Sequence, residues 1–139
     1  MDFQGWDRAK VGGFTHIRVY FSDTDQMGVV YNGNYLTWFE VGRTELMRDR
    51  GLSYATVEER GVALPVTEAR LRVRLPARYD DLVRVETRVG RLRTRDLVFL
   101  YRLHAGERFL VEGETVHMAV SKETGSAIRI PDWLRDGVA

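Results

Sequence analysis

The chain contains no cysteine among its 139 residues. Disulfide bridges, thiolate metal sites and a cysteine nucleophile are therefore excluded, and the absence fits a reducing compartment. No apolar run approaches the roughly 20 residues that a membrane-spanning helix needs. The first residues also lack the basic and then apolar order of a secretion signal. We therefore expect a cytoplasmic protein that does not insert into membranes.

Neither sign of charge dominates the chain, because the net charge is +1. This gives no electrostatic case for nucleic acid as a partner. Nine arginines do lie between positions 70 and 95, against three acidic residues. Most of them are expected on the solvated faces of strands, although a local anion site stays open.

The length and composition fit one globular domain. Apolar residues make up 44% of the chain and charged residues 29%, so a core can form and the surface can stay hydrated. A length of 139 residues leaves no room for a second independent core. We expect residues 1–12 to form a flexible leader and residues 13–139 to form a single domain.

The first half of the chain predicts one strand and two helices. Apolar and polar residues alternate over 14–21, which is typical of a half-buried strand. Apolar residues at three- and four-residue steps predict a long helix over 34–50. A short helix should follow over 52–60, with Ser53 as its cap and Gly61 at its end.

The second half has the period of two that is typical of strands. One long strand over 62–75 needs a bulge near Ala69 to keep its apolar face inward. A last strand over 109–120 needs another bulge past Gly113. Two more strands are predicted between them, at 83–89 and 97–103. Because mostly tight turns join these strands, we expect antiparallel pairing.

The predicted strands form one sheet, and one of its faces must be covered by a helix. The long helix, of about five turns, is the only element able to cover a face of five strands. The sequence therefore predicts an α+β fold in which a five-stranded antiparallel sheet wraps one long central helix. Such a sheet leaves an edge strand open, so we also expect a homo-oligomer.

The segment before the long helix carries a motif. Asp23-Thr24-Asp25-Gln26-Met27-Gly28 and the residues up to 36, continued by 39–40 and 43–45, resemble the signature of the 4-hydroxybenzoyl-CoA thioesterase branch of hotdog-fold acyl-CoA thioesterases. Further similar segments lie at 76–81, 113–117 and 129–131, so the resemblance covers about residues 14–135. It implies the hotdog fold, hydrolysis of acyl-CoA to free acid and CoA without metal or other cofactor, and dimers or dimers of dimers.

The resemblance also implies a mechanism. The aspartate that matches Asp25 acts as nucleophile or general base, and the backbone N–H that matches Asn32 polarises the thioester carbonyl. A helix N-terminus suits that task because it offers unpaired N–H groups and about half a positive charge. Gly28 and Gly33 would let the backbone turn tightly beside the substrate. The family often has histidine at the position of Asn32, so any histidine-assisted step stays open.

Other roles remain for the acidic residues. Asp25 could be a turn residue or a helix cap, which is the role that we assign to Asp23. Glu40 is a rival base, because a sister branch of hotdog thioesterases carries its carboxylate on the central helix. A structural ion pair between Glu40 and Arg43, one turn away, is the favoured interpretation.

Several residues are candidates for substrate contacts. Tyr31 and Tyr35 fit either the acyl pocket or the core. Arg93 and Arg95, between the third and fourth predicted strands, fit the phosphates of coenzyme A or simply a charged hairpin. The three histidines have no metal or triad spacing, and we interpret them as ordinary strand residues.

Three functions stay open on the sequence. The first is an acyl-CoA thioesterase, the second an acyl-carrier-protein thioesterase of the same fold, and the third a non-catalytic protein that binds or senses acyl-CoA. Asp25 argues against the third, because binding alone gives no reason to keep an ionised group beside a thioester.

Overall fold

The computed structural model describes residue 3 and residues 5–139. The strands are β1 (Lys10–Arg18), β2 (Val62–Ala63), β3 (Val66–Val73), β4 (Leu82–Leu92), β5 (Asp96–Ala105), β6 (Arg108–Met118) and β7 (Val120–Ser121). The helices are α1 (Gly33–Asp49), α2 (Tyr54–Glu59) and α3 (Asp132–Val138). Five strands form one antiparallel sheet in the order β1-β4-β5-β6-β3, and β2 pairs with β7. The predicted α+β architecture, with one long helix against a five-stranded antiparallel sheet, is confirmed.

Helix α1 buries the apolar stripe that the sequence predicts. Its buried residues are Tyr35, Trp38, Phe39, Gly42 and Leu46. Gly42 lies directly on β4, where an added Cβ would overlap Thr87 Oγ1 and lie 2.8 Å from Val85 Cγ1. The helix therefore sits closer to the sheet than any larger side chain at position 42 allows.

Strand β6 has a different parity from the predicted one. The extra residue is Leu110, because Leu103 of β5 pairs with Val111 whereas His104 pairs with Phe109. The predicted bulge past Gly113 is therefore wrong. Gly113 faces α1, since an added Cβ would lie 2.5 Å from the Phe39 ring.

Both faces of β6 are covered, which explains the misplaced bulge. On the outer face of the sheet Val116 belongs to a small buried cluster with Trp6, Val98 and Leu100. An apolar residue at position 116 therefore does not show which face of β6 packs against α1. Alternation distinguishes inside from outside only where one face is solvated.

The predicted long strand over 62–75 is also wrong. Val62 and Ala63 pair with β7, whereas β3 begins at Val66 and pairs with β6. Pro65 separates the two strands, and proline has no N–H to donate to a ladder. The register shift in β3 falls between Val66 and Glu68 rather than near Ala69.

The predicted leader over residues 1–12 contains the start of a strand in the structure. Residues 1, 2 and 4 lie outside the part that the structure describes. Strand β1 begins at Lys10 rather than near 14, and Lys10 pairs with Val89. Trp6 is only 6% exposed and packs against two guanidinium groups, with the Arg88 and Arg102 Cζ atoms 4.1 and 4.7 Å from its ring centroid. A register shift between Val11 and Gly13 breaks the alternation that would have marked this end of the strand.

The remaining helix predictions hold. Ser53 caps α2 by accepting a hydrogen bond from the Thr56 N–H at 3.3 Å, and Gly61 follows with φ +84°. Helix α3 follows Pro131, which is its N-cap residue. None of the helices in the described part of the chain combines the length and apolarity that crossing a membrane requires.

Candidate active site

A closed loop carries Asp25 from β1 to α1. The Asp23 carboxylate accepts a hydrogen bond from the Tyr20 N–H at 2.8 Å, as its predicted structural role requires. Thr24 and Val30 form an antiparallel bridge across the loop. At the tip the Gly28 N–H donates to the Asp25 carbonyl at 3.0 Å, with φ +77° at Gly28. This backbone conformation favours glycine, so the predicted tight turn is present.

The loop is attached to the first turn of α1. The Asn34 side-chain amide donates to the Asp23 carbonyl at 2.9 Å, and the Tyr31 N–H donates to the same oxygen at 3.0 Å. The Asp25 carboxylate is exposed in the single chain and accepts a hydrogen bond from the Met27 N–H at 2.8 Å. Asp25 and the start of α1 therefore belong to one hydrogen-bonded unit.

Burial and nearby charges act on the Tyr35 hydroxyl. Burial raises the pKa of the Tyr35 hydroxyl, and the negative charges of Asp25 and Asp81 raise it further. A hydrogen bond from the Ala77 N–H opposes these effects.

The start of α1 offers two backbone donors. Asn32 already has helical angles, φ −56° and ψ −34°, and its side chain makes no capping hydrogen bond. The N–H groups of Asn34 and Tyr35 donate to the Tyr31 and Asn32 carbonyls. Within residues 3 and 5–139, the N–H groups of Asn32 and Gly33 have no acceptor. They have the chemistry of an oxyanion-binding site.

The two candidate tyrosines have different environments. Tyr31 is 60% exposed, and its ring lies 2.6 Å from the position that a Cβ on Gly33 would take. Tyr35 is fully buried, packs edge-on against Trp38 and accepts a hydrogen bond from the Ala77 N–H at 3.1 Å. Tyr31 is therefore open at the site, whereas the surroundings of Tyr35 support the core alternative.

The favoured ion pair between Glu40 and Arg43 is wrong. Among the described residues no carboxylate lies within 4.0 Å of the Arg43 guanidinium. Arg43 Nη1 instead lies 3.5 Å from the Tyr101 hydroxyl, towards the sheet. Arg43 therefore contacts Tyr101 in the sheet, which is far away in sequence, instead of Glu40 on its own helix.

Glu40 and Arg43 both line a cavity of about 360 Å³, which we call the α1–α2 cavity. It lies between the two helices and the connection from β2 to β3. Its lining residues are Glu40, Arg43, Thr44, Met47, Leu52, Tyr54, Val57, Ala63, Leu64, Pro65, Val66, Phe99 and His117. Apolar walls with a few polar groups are typical of a pocket for a small organic ligand.

Sequence reasoning missed His117. The histidine is 1% exposed, and its Nε2 and Nδ1 atoms lie 2.8 Å from Thr115 Oγ1 and 2.9 Å from the Leu64 carbonyl. Burial is the main reason that its pKa falls to about 4. The signal that could have identified it was its parity with Gly113, but the misplaced bulge hid that parity.

The arginine candidates lie apart from the Asp25 loop. The loop is next to the start of β4, since the Val19 N–H donates to the Asp81 carbonyl, whereas Arg93 and Arg95 follow the end of that strand. Eleven residues of strand span roughly 35 Å. A single chain therefore does not bring these arginines to Asp25.

The two arginines also differ from each other. The Arg93 guanidinium binds both carboxylate oxygens of Asp96, at 2.8 and 2.5 Å, and this hydrogen bonding lowers the pKa of Asp96. The Arg95 side chain is exposed and forms no ion pair with any described residue. Across the described ranges no group of acidic and histidine side chains has the arrangement of a metal site.

Comparison with known proteins gives a consistent result. The sequence model of the thioesterase-like superfamily matches residues 19–138. YneP of Bacillus subtilis, named as a candidate acyl-CoA thioesterase, is 36% identical over 123 residues, covering 84% of this chain and 88% of that protein. YbgC of Escherichia coli, named an acyl-CoA thioester hydrolase, is 34% identical over 105 residues, covering 75% and 78%.

Solved structures agree with the fold. The hypothetical protein TT1821 from Thermus thermophilus is 38% identical with a TM-score of 0.86, covering 90% of this chain and 95% of that one. The DHNA-CoA thioesterase from Staphylococcus aureus is 31% identical with a TM-score of 0.85, covering 92% and 89%. A mutant 4-hydroxybenzoyl-CoA thioesterase, at 20% identity and a TM-score of 0.84, has the same fold. The predicted hotdog fold is confirmed.

Proposed function

The chain belongs to the thioesterase-like superfamily, and from this premise we propose that it hydrolyses acyl-CoA thioesters to free acid and CoA, with Asp25 as the catalytic carboxylate. The observation that carries the proposal is the attachment of the Asp25 loop to the first turn of α1. The names of YneP and YbgC support acyl-CoA as the substrate.

Thioester hydrolysis needs two parts, and the proposal assigns both of them to groups near the start of α1. The Asp25 carboxylate either removes a proton from a water that attacks the carbonyl carbon, or attacks that carbon itself to give an acyl–aspartate anhydride that water then hydrolyses. In both routes the C–S bond breaks, and the CoA thiolate takes up a proton from the carboxyl group or from water. Negative charge develops on the carbonyl oxygen, which the free N–H groups of Asn32 and Gly33 can stabilise. Gly28 and Gly33 keep the backbone close to the reacting group, and Tyr31 is open at the same place.

Glu40 is a second candidate for the catalytic carboxylate. It lines the α1–α2 cavity, although Glu40 and Asp25 are both exposed in the single chain. A carboxylate beside an apolar cavity can act as a general base. Substitution of each acid in turn, Asp25→Asn and Glu40→Gln, distinguishes the two candidates.

The decisive variant is Asp25→Asn, which keeps the side-chain shape and removes its charge. We expect it to lower the rate of thiol release from acyl-CoA, followed with a thiol reagent, by at least about a hundredfold. Asp49→Asn is the matched control, because Asp49 is an exposed aspartate at the other end of α1. Circular dichroism checks that the variants fold. Normal activity of Asp25→Asn together with an inactive Glu40→Gln would transfer the catalytic role to Glu40.

The natural acyl donor is settled by comparing substrates. A panel of acyl-CoA esters with aromatic, short and long acyl groups identifies the preferred acid. Acyl-carrier-protein thioesters tested beside them identify the alternative donor. Binding of acyl-CoA without thiol release from either donor would contradict the enzyme proposal and favour a binding protein.

A further inference from the structure

A chain of hydrogen bonds crosses the core beside the α1–α2 cavity. Arg43 Nη1 lies 3.5 Å from the Tyr101 hydroxyl, which lies 2.6 Å from Thr115 Oγ1. Thr115 Oγ1 lies 2.8 Å from His117 Nε2, and His117 Nδ1 lies 2.9 Å from the Leu64 carbonyl. The chain thus connects α1, β5, β6 and the segment between β2 and β3.

The two ends fix the direction of every hydrogen bond. The Leu64 carbonyl can only accept, so a neutral His117 carries its proton on Nδ1 and accepts on Nε2. Thr115 must then donate to His117 and accept from Tyr101. At the other end Arg43 can only donate, so the Tyr101 oxygen accepts from it. With a neutral imidazole, a state that burial of His117 favours at neutral pH, every hydrogen bond of the chain therefore has one donor and one acceptor.

Arg43, His117 and Leu64 line the cavity, whereas Tyr101 and Thr115 do not. Arg43 and Leu64 lie in the cavity wall, on α1 and on the connection that enters β3. Tyr101 and Thr115 are 1% and 2% exposed and belong to the core. The hydroxyl groups of these two residues therefore influence the cavity only through the residues that they hold.

The connection at Leu64 depends on such support. It joins β2 and β3, which belong to different sheets. Pro65 cannot donate a backbone hydrogen bond, although its carbonyl accepts one from the Met118 N–H at 3.2 Å. The bond from His117 to Leu64 is a second attachment, and it holds this segment towards the cavity.

We propose that Thr115 and His117 are positioning residues that set the width of the α1–α2 cavity and thereby select the acyl group. The proposal rests on the proposed function, since it treats the cavity as the place of the acyl group. Met47, Leu52, Val57, Leu64 and Phe99 make most of the wall apolar, so the selected class is an extended aliphatic or aromatic acyl group. An acetyl group is too short to depend on this wall.

The test is Thr115→Val, which has nearly the same shape and lacks the central hydroxyl. We expect KM for an extended acyl-CoA to rise about tenfold with kcat nearly unchanged, and the constants for acetyl-CoA to stay within about twofold. Tyr101→Phe, which keeps the ring stacked on Phe39 at 4.2 Å, should give the same result if Thr115→Val does not fold. Thr115→Ser restores the hydroxyl and should restore selectivity.

Thr87→Val is the matched control. Thr87 is also 1% exposed and lies beneath α1, but its hydroxyl has no hydrogen-bond partner in the described part of the chain. Its loss should leave selectivity unchanged. Equal selectivity of wild type, Thr87→Val and Thr115→Val, or a Thr115→Ser variant that behaves like Thr115→Val, would overturn the proposal.

The dissociation constants of the same acyl-CoA compounds separate this proposal from the proposed function. If the wild type releases no thiol, the hydrolase proposal fails. Calorimetry then still shows whether Thr115→Val weakens binding of the extended acyl-CoA relative to acetyl-CoA. An unchanged ratio of the two dissociation constants contradicts the positioning role in either case.

Discussion

Individual side chains were predictable where their partners are close in sequence. Asp23, Asp25 and Gly28 lie in one short loop, so the turn chemistry of that loop indicated their positions. Arg43 was not predictable in this way, because its nearest polar partner in the core, Tyr101, is 58 positions away. A helix neighbour such as Glu40 is visible in the sequence, whereas a partner across the sheet is visible only after the register is known.

His117 gives a pH dependence to stability. The pKa of a histidine is ordinarily 6.5, and burial lowers that of His117 to about 4. As the pH falls, the unfolded chain therefore binds this proton first, so the stabilisation is complete above about pH 6.5 and is lost down to about pH 4. The loss reaches about 2.5 kcal/mol by pH 4.5.

The test of this dependence is His117→Gln, which keeps one donor and one acceptor but does not titrate. Urea unfolding of both proteins at pH 7 and pH 4.5 measures the effect. We expect the wild type to lose about 2.5 kcal/mol more than the variant over this interval. The lowered pKa of His104 acts in both proteins and cancels. Parallel stability curves would contradict the assignment of this proton to His117.

At the scale of elements, α1 was predicted to within a residue at each end, whereas the strands after it were not. The helix has one buried stripe, so its period appears directly in the sequence. The segment 62–75 has apolar residues throughout, although Pro65 divides it between two sheets. Periodicity identifies a face but does not show where a strand changes its partner.

The contact between α1 and β4 should tolerate no additional atom. A Gly42→Ala substitution would place its methyl group against Thr87 and Val85. We expect a loss of about 1–3 kcal/mol in the free energy of unfolding, because overpacking outweighs the higher helix propensity of alanine. Thr37→Ala, at an exposed position of the same helix, is the control and should be neutral or slightly stabilising. Equal stability of both variants would show that the helix moves freely away from the sheet.

At the scale of the whole molecule, the arrangement of sheet and helix was predictable because one long helix can cover only one sheet face. The distance of Arg93 and Arg95 from the Asp25 loop was not predictable. These arginines follow the end of β4, and the position of that end relative to the loop depends on the pairing of β4 with β1. Assembly stays a prediction. Strand β3 is at the edge of the sheet, and most of its residues are exposed.

We expect the chain to form a homodimer or a dimer of dimers through the β3 edge. Sedimentation should then give two or four times the chain mass of 16.1 kDa. Ala69→Lys adds a charge to exposed β3 and should weaken assembly, because charged side chains oppose edge pairing. Glu107→Lys makes the larger charge change of +2 in the exposed turn between β5 and β6 and should not weaken assembly. A wild type that sediments as a single chain at micromolar concentration would contradict this prediction.

Helix α1 is 17 residues long, about 25 Å, and its two halves touch different things. Its start is joined to the aspartate loop, whereas Glu40, Arg43 and Met47 look into the cavity. Under the two proposals, mutations in the later half alter which acyl groups bind, while the end that carries the oxyanion donors keeps its shape. A change of acyl preference then needs substitutions in only one half of α1.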